Sequence, residues 1–592
     1  MLPQSAVPVP GFLRPAILVL RVHTSSFGAQ RLRRVLSLAI AAGVVGFSWV
    51  LRYNEPEGSY AGLLDDHYFY VVRGWQMLWG ELPDRDFVDI GAPLTFVLSA
   101  AAQVVIGRGA WAEILLAVTM LSIAAGLSYW AAERASGSVV AAGTATLFQV
   151  ALFPRFYNYP KLITYALAIP VTWALLDRPT WARRVALAAI TVFSLLLRHD
   201  HGVFVGLFVV STILFAARSW RDTLREVLIY AALVFALTLP YLVYLAVNGG
   251  IVTHFLTANA WSMRDRSRAP LKLPGFVAPD ASLLDAPWQM VQANVTGWVF
   301  YLLVLLPFIV FALLAWSRDA WRPDWPNARA KIAGVAVLAV MLNVGFLRGA
   351  LNARLADVMV PHTVLVAWML VAAATVLLTG RVAGADGNRR VPATVRIGMP
   401  IAMLIVTAIT AVAVAPGFRE ALRDSHVGLD PGAIVGRAQE ITARFRETWP
   451  LERWTSPQSR GPIKLAFYFE ACTDPADRVF VSQYLPQVPA LSRRAFAGGH
   501  PDLRPGFFAT EADQQLFLER INTESVPVLI VPPQAEYGGF AEAFPQVAEY
   551  FAAHYDPAGE RDLDDGLHVA VLVRRDRQAA SRYEPLDLPC FR

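Results

Sequence analysis

The sequence predicts a mainly α fold: a polytopic transmembrane helical bundle followed by a small C-terminal extracytoplasmic α/β domain. Three observations predict it. The 592 residues are 55% hydrophobic and only 17% charged, where soluble domains run near about a quarter charged, and mean hydropathy is +0.43. Apolar runs fill residues 35–415, whereas 416–592 carry an ordinary soluble mixture. The basic residues, almost all Arg, gather in short loops between the runs.

Crossing a bilayer takes about 17–25 mostly apolar residues. Candidate spans fall near 35–51, 111–131, 138–153, 160–176, 185–198, 202–217, 227–247, 297–316, 331–347, 358–379 and 396–415, about eleven in all. Residues 1–34 precede the first run as a cytoplasmic tail. With Arg31, Arg33 and Arg34 at its start and no small-residue cleavage site after it, that run reads as a signal anchor.

A further apolar stretch, 92–107, is assigned by charge. Positive residues in short loops mark the cytoplasmic side. Clusters occur at Arg31/Arg33/Arg34, Arg134, Arg178/Arg183/Arg184, Arg218/Arg221/Arg225, Arg318/Arg322/Arg329/Lys331 and Arg381/Arg389/Arg390. All fall on one side if 92–107 lies at the interface. That places the N-terminus inside and 416–592 outside. The outside then holds the first outer loop 52–110, the turns 153–161, 198–202 and 347–357, and the loop 248–296.

In the tail, 478–483, 526–531 and 567–574 read as strands, and 511–524 and 541–554 as helices, an alternation that suggests a small α/β domain. It has no phosphate-binding glycine fingerprint and no nucleophile elbow. Its role is expected to be accessory. Cys472 and Cys590 either pair, if the tail is extracytoplasmic, or stand as two unrelated thiols. No Cys/His spacing suggests zinc, and no basic stripe with interleaved aromatics suggests nucleic acid.

The first outer loop concentrates acid. Asp65, Asp66, Asp84, Asp86 and Asp89 fall within twenty-five residues. Asp65 and Asp66 open a helix predicted to run to about Gly80. Asp65, Tyr68, Phe69, Val72, Trp75, Gln76 and Trp79 share one Trp-rich stripe, as on a helix lying in the interface. Asp66, Tyr70 and Arg73 share the neighbouring polar stripe. A turn-rich segment, Gly80 to Leu94, follows.

An acidic pair after the first span, an aromatic a few residues on, a G-x-x-P-x-x-D-F stretch and a G-x-P-L turn resemble the first outer loop of GT-C superfamily glycosyltransferases. The branch is the one that includes protein O-mannosyltransferases and the lipid A aminoarabinose transferase. The matching residues are Asp65, Asp66, Tyr70, Gly80, Pro83, Asp86, Gly91 and Pro93. The resemblance implies transfer of a monosaccharide from a polyprenyl-phosphate donor, with inversion, to a glycan, lipid or protein acceptor outside a bacterial inner membrane.

It also implies roles. Asp66, facing away from the apolar stripe, or Asp65 would be the general base that takes the acceptor proton. Asp86 is a further catalytic candidate, and Tyr70 and Arg73 are candidates to contact substrate. Arg198, in the turn Arg198-His199-Asp200-His201-Gly202, suits the donor phosphate, since guanidinium matches phosphate oxygens bidentately. A metal at His199, Asp200 and His201 is a weaker expectation than an Arg198–Asp200 pair. The family's acidic residue in the second outer turn is missing among Arg155, Tyr157, Asn158, Tyr159 and Lys161. Asp86 or Asp89 would then replace it, or the reaction needs no metal. A divalent metal held by Asp66 and Asp86 stays an option. Arg354, Asp357 and His362, with Arg348 and Asn352, surround the start of a late span, as contacts to phosphate or sugar or as an anchor with one ion pair.

Two other classes make different demands on the sequence. A transporter or flippase of lipid-linked or glycan substrates would place charge at mid-membrane and show paired broken helices. Here most ionisable residues sit at span ends. A membrane sensor built on the tail would need neither so many spans nor so acidic a loop.

Overall fold

A computed structural model describes residues 27–54, 65–152, 160–268, 273–276, 291, 294–316, 325–346, 352–379, 381–382, 389–390, 393–428, 431–446, 457–563 and 566–592. The bundle opens with α1 (Phe27–Asn54), α2 (Asp65–Leu78), α3 (Pro93–Ile106), α4 (Ala110–Ser136), α5 (Val139–Ala151) and α6 (Leu162–Asp177). It continues with α7 (Trp181–Leu197), α8 (His199–Phe215), α9 (Trp220–Val247), α10 (Ile251–Arg268), α11 (Val295–Trp316) and α12 (Ala328–Phe346). Then come α13 (Asn352–Asp357), α14 (Met359–Thr379), the antiparallel pair β1 (Arg381–Val382) and β2 (Arg389–Arg390), and α15 (Ala393–Asp424).

Each of the eleven apolar stretches lies on one of these helices. Seven helices, α1, α4, α9, α11, α12, α14 and α15, are long and apolar enough to cross a membrane. The other four expected spans, α5 to α8, are shorter, at 13 to 17 residues. Their sequences explain the shortness. Ser138 caps α5 through its bond from Ala141 N, Thr180 caps α7, and the Arg198 turn ends α7 and starts α8. Polar breaks thus divide apolar sequence into brief rods, of which α6 is largely buried while α5, α7 and α8 also expose apolar side chains. The helices approach closely where a residue is small. A Cβ at Gly334 of α12 would sit 1.9 Å from Thr212 Oγ1 of α8, and one at Gly126 of α4 would sit 2.5 Å from Val45 Cγ2 of α1.

Charged contacts sort to the two ends of the bundle. At one end Lys331 Nζ meets Asp177 at 2.5 Å, Arg134 reaches the same carboxylate at 3.7 Å, and Arg184 pairs with Glu226 at 2.8 Å. At the other lie Lys161–Asp357, Arg198–Asp200 and Asp84–His254. That second end also carries the tail. An antiparallel series of spans requires this alternation of loops, and the arginine-rich loops at Arg134, Arg183–Arg184 and Lys331 do fall together.

The tail comprises α16 (Pro431–Arg446), α17 (Pro457–Cys472), β3 (Arg478–Val481), α18 (Gln487–Ser492), β4 (Ala495–Phe496), α19 (Glu511–Ile521), β5 (Val528–Val531), α20 (Gln534–Ala543), α21 (Pro545–His554), β6 (Tyr555–Leu563), β7 (Leu567–Arg574), β8 (Ser581–Tyr583) and β9 (Leu588–Cys590). One sheet has the order β4-β3-β5-β7-β6, parallel from β4 to β5 and antiparallel beyond. Side chains alternate across it. Val479, Val481, Val528 and Ile530 pack with Leu465 and Phe469 of α17, and Phe480, Leu529 and Val531 pack with Phe517, Phe540 and Phe551. The helix expected over 541–554 is two, because Phe544 leaves the helical region (φ −132°) and Pro545 restarts the helix at its first turn. Cys472 and Cys590 form a disulfide that ties the end of α17 to β9.

The expectation of α2 as an interfacial helix is corrected. Tyr68 to Gln76 are buried on every side. The tail covers what bilayer and water would otherwise meet. Gln76 Nε2 donates to Phe496 O at 3.3 Å, Arg478 pairs with Glu81 just beyond the helix, and Phe496 shares one continuous core with α2 and the bundle. On the opposite side α2 closes on α3 at Gly74, where a Cβ would meet Ser99 Cβ at 2.9 Å.

Gly334→Val should force α12 away from α8 and destabilise the bundle by about 1–3 kcal/mol, read as a lower thermal or denaturant midpoint of the purified protein in detergent.

Candidate active site

The acidic loop after α2 folds back on itself. Asp84 adopts the left-handed region (φ +63°), its amide donates to Phe87 O at 2.7 Å, and Asp86 N donates to Leu82 O at 2.9 Å. Asp86 Oδ2 accepts from Leu82 N at 2.8 Å and pairs with Arg85 at 2.7 Å. The Asp86 carboxylate is therefore engaged within its own turn. Asp89 Oδ1 accepts from the amides of Gly91 and Ala92, both at 2.9 Å, and so caps the turn into α3. Gly91 has φ +92°, and a Cβ there would lie 2.7 Å from His199 Nδ1. Only glycine satisfies both the backbone and the neighbour. Its carbonyl accepts from His199 N at 3.1 Å, joining this loop to the α7–α8 turn.

The fold brings His254 of α10 to the same place. Its Nδ1 lies 2.8 Å from Asp84 Oδ1, its Nε2 lies 3.1 Å from Tyr241 Oη, and its ring packs on His199 with centroids 5.0 Å apart. Tyr244 Oη donates to Pro83 O and pins the loop to α9. Asp84, Asp89 and His254 each offer a ligand atom, all within 4.8 Å of one another. Asp84 Oδ2, Asp89 Oδ2 and His199 Nδ1 are buried without a hydrogen-bond partner among the described residues. Two carboxylates and an imidazole suit a divalent cation such as Mn²⁺ or Zn²⁺. Among the described residues Asp84, Asp89 and His254 are the group that could hold a metal, while the expected pair Asp66 and Asp86 includes a side chain outside the described residues. Burial, and then the charge of Asp84, push the Asp89 carboxyl up to about 6, against the pull of His254 and the two amides. Burial lowers the His254 imidazole, but the Asp84 hydrogen bond and the Asp84 and Asp89 charges outweigh it and raise it overall.

A cationic cluster stands beside it. Lys161, at the start of α6, pairs with Asp357 at the end of α13. Arg198 pairs with Asp200 at 2.7 Å, and both Arg198 and Arg354 act electrostatically on Asp357. His201 Nδ1 and Tyr165 Oη are 2.5 Å apart, and His201 Nε2 is 3.8 Å from Asp200. The expected Arg198–Asp200 pair is therefore present, and the His199–Asp200–His201 metal site is not. His199 turns toward His254, whereas His201 turns toward Tyr165. The carboxylate that pairs with Lys161 comes from Asp357, far along the chain.

Other expected residues land elsewhere. Asp65 and Asp66 begin α2, but their side chains lie outside the described residues, as do Arg155, Tyr157, Asn158, Tyr159, Arg348 and most of 269–293. His362 is corrected: it is buried, and its two ring nitrogens lie 2.8 Å from Val358 O and 2.9 Å from Leu303 O, tying α14 to α11 and leaving no nitrogen for substrate. Arg73 is fully buried, its guanidinium 3.5 Å above the Phe69 ring, and Tyr70 packs beside Phe69 and Phe96. The stripe they share is polar by composition, yet the tail seals it. Burial lowers the Arg73 guanidinium to about 10, opposed by Asp502 of the tail, so it stays charged. Periodicity could not find His254; a lone His just after Gly249-Gly250 in an outer loop was the available signal.

No family model matches the sequence, and no curated protein matches it. Among solved structures it is similar to ArnT from Cupriavidus metallidurans bound to undecaprenyl phosphate, at 14% identity and TM-score 0.47, covering 91% of this chain and 97% of that one. It is likewise similar to the apo state of ArnT from that organism, at 15% identity and TM-score 0.47, covering 92% and 98%.

Binding of Mn²⁺ or Zn²⁺ at Asp84, Asp89 and His254 should strengthen as pH rises through about 6, because Asp89 and His254 must both lose protons to ligate. Asp89→Asn should weaken it roughly ten-fold or more, since even an outer-shell loss costs that much. Equilibrium dialysis between pH 5 and 8 reads both effects.

Proposed function

We propose that the chain is a membrane glycosyltransferase that moves a monosaccharide from a polyprenyl-phosphate donor to a glycan, lipid or protein acceptor at the extracytoplasmic face of a bacterial inner membrane. The observation that carries this reading is the meeting of an acidic cluster and a cationic cluster at one end of an apolar bundle, joined by the Arg198–His201 turn. A departing lipid phosphate needs cations at the membrane surface, and an attacking hydroxyl needs a carboxylate nearby. The arginine-rich loops at the opposite end support a cytoplasmic assignment there. The Cys472–Cys590 disulfide supports an oxidising compartment for the tail. Pairing of charge at the ends of helices favours surface chemistry over a transport path.

In this reading the acceptor hydroxyl attacks the anomeric carbon while Asp66, or Asp65 beside it, takes its proton. The bond from that carbon to the phosphate oxygen breaks on the opposite face, so configuration inverts. The phosphate leaves carrying the bond's electron pair, and Lys161, Arg198 and Arg354 stabilise its added charge. Asp200 and Asp357 hold those cations paired and in position before the donor arrives. A divalent ion at Asp84, Asp89 and His254 would supply further positive charge and brace the loop.

Asp66→Asn and Asp65→Asn, made separately in membranes given radiolabelled polyprenyl-phosphate sugars, test this. Loss of the base should slow transfer by about 10²–10⁴-fold, and wild-type transfer by both variants would sink the assignment. Arg198→Ala should cost about 10²–10³-fold, with Arg198→Lys restoring only part because the bidentate fork is gone.

A further inference from the structure

Apart from these clusters, a cavity of about 530 Å³ opens where α2 and the α3–α4 turn face the tail. Trp75 and Trp79 form one wall, Arg108, Arg493, Arg494 and Arg592 supply cations, and Glu470 is the acidic side chain in the lining. The guanidinium of Arg494 is buried, and its five N–H groups are engaged by neutral acceptors: Thr473 Oγ1 at 3.0 Å, Thr473 O at 2.6 Å, Ser492 O at 3.1 Å, Arg493 O at 3.4 Å and Glu470 O at 3.1 Å. Its charge is thus positioned, and it is partly offset by the carboxylates of Glu470, Asp477 and Asp474. Arg108 and Arg493 are exposed, and among the described residues neither makes an ion pair. Arg108 lies 5.3 Å over the Trp75 ring, which holds it at the mouth. Arg493 occupies the left-handed region at the end of α18 (φ +56°), a place where glycine is the usual residue.

The tail wall is cross-linked. The Cys472–Cys590 disulfide closes it, and Phe591 N donates to Cys472 O at 2.9 Å. On the other side, Val104 and Val105 at the end of α3, just before Arg108, are 69% and 84% exposed. Apolar side chains open to the surroundings near the exposed guanidiniums of Arg108 and Arg493 describe a ligand with two parts. Guanidinium forks match phosphate oxygens, and the anions that a membrane surface presents are largely phosphates. We infer that this cavity binds the phosphate head of a membrane amphiphile, with the acyl portion lying along Val104 and Val105. The inference goes beyond sugar transfer and does not depend on it.

The test is binding of dilauroyl phosphatidic acid to the purified full chain by native mass spectrometry, with dilauroyl phosphatidylcholine and inorganic phosphate as comparison ligands. Phosphatidic acid should bind saturably, and more tightly than either comparison. Arg108→Gln with Arg493→Asn should weaken it by about ten-fold or more at an unchanged thermal midpoint, and Val105→Asp should weaken it while leaving inorganic phosphate unaffected. Wild-type lipid binding by both variants would overturn the site. Phosphatidylcholine binding as well as phosphatidic acid would overturn the anionic head. Inorganic phosphate binding as tightly as the lipid would replace the amphiphile with free phosphate.

Discussion

The His199 amide donates to the Gly91 carbonyl at 3.1 Å, and the organisation of the site depends on that junction. It fastens the loop after α2 to the turn between α7 and α8. Asp89, two residues before Gly91, is then locked by two amides. The His199 ring reaches His254 on one side, while Arg198 and Asp200 extend toward Lys161 and Asp357 on the other. Ionisable groups at the margin of an apolar bundle need partners or an aqueous cavity. Here one contact arranges partners for both clusters at once. The absent side chain at Gly91 is what makes so close an approach feasible.

The helices of the bundle were legible because a bilayer imposes length and apolarity on each crossing, a demand that local sequence cannot hide. Shortness was legible as well, since the apolar stretches at 138–153, 160–176, 185–198 and 202–217 are themselves brief and Ser138 and Arg198 mark the breaks. Strands β3, β5 and β7 were legible from alternation. Strand β6 was not: of Tyr555 to Leu563 only the two end residues are buried, and the rest is Asp, Pro, Ala, Gly, Glu and Arg. Its register comes from pairing with β7 rather than from a hydrophobic face.

The site was legible in its charges and not in their pairing. Arg198 and Asp357 stood out as ionisable residues at span boundaries. Lys161 as the partner of Asp357, and His254 as the partner of Asp84 across 170 positions, come from tertiary packing that no periodicity records. Arg73 shows the converse. Spacing put it on a polar stripe with Asp66, and the tail then buried that stripe beneath Asp502 and Phe496.

Sharing of one core by α2 and the tail has a consequence for biogenesis. Gln76 bonds to Phe496, 420 residues later in the chain. At about 5–20 residues per second of synthesis, α2 waits roughly 20–80 s for its cover. During that interval its tryptophans and the Arg73 guanidinium lack the cover that the tail gives them. A nascent chain of this kind passes through a stage in which its helices are inserted and its acidic loop is still uncovered. That stage is a natural point for a membrane chaperone to hold the protein or a protease to remove it.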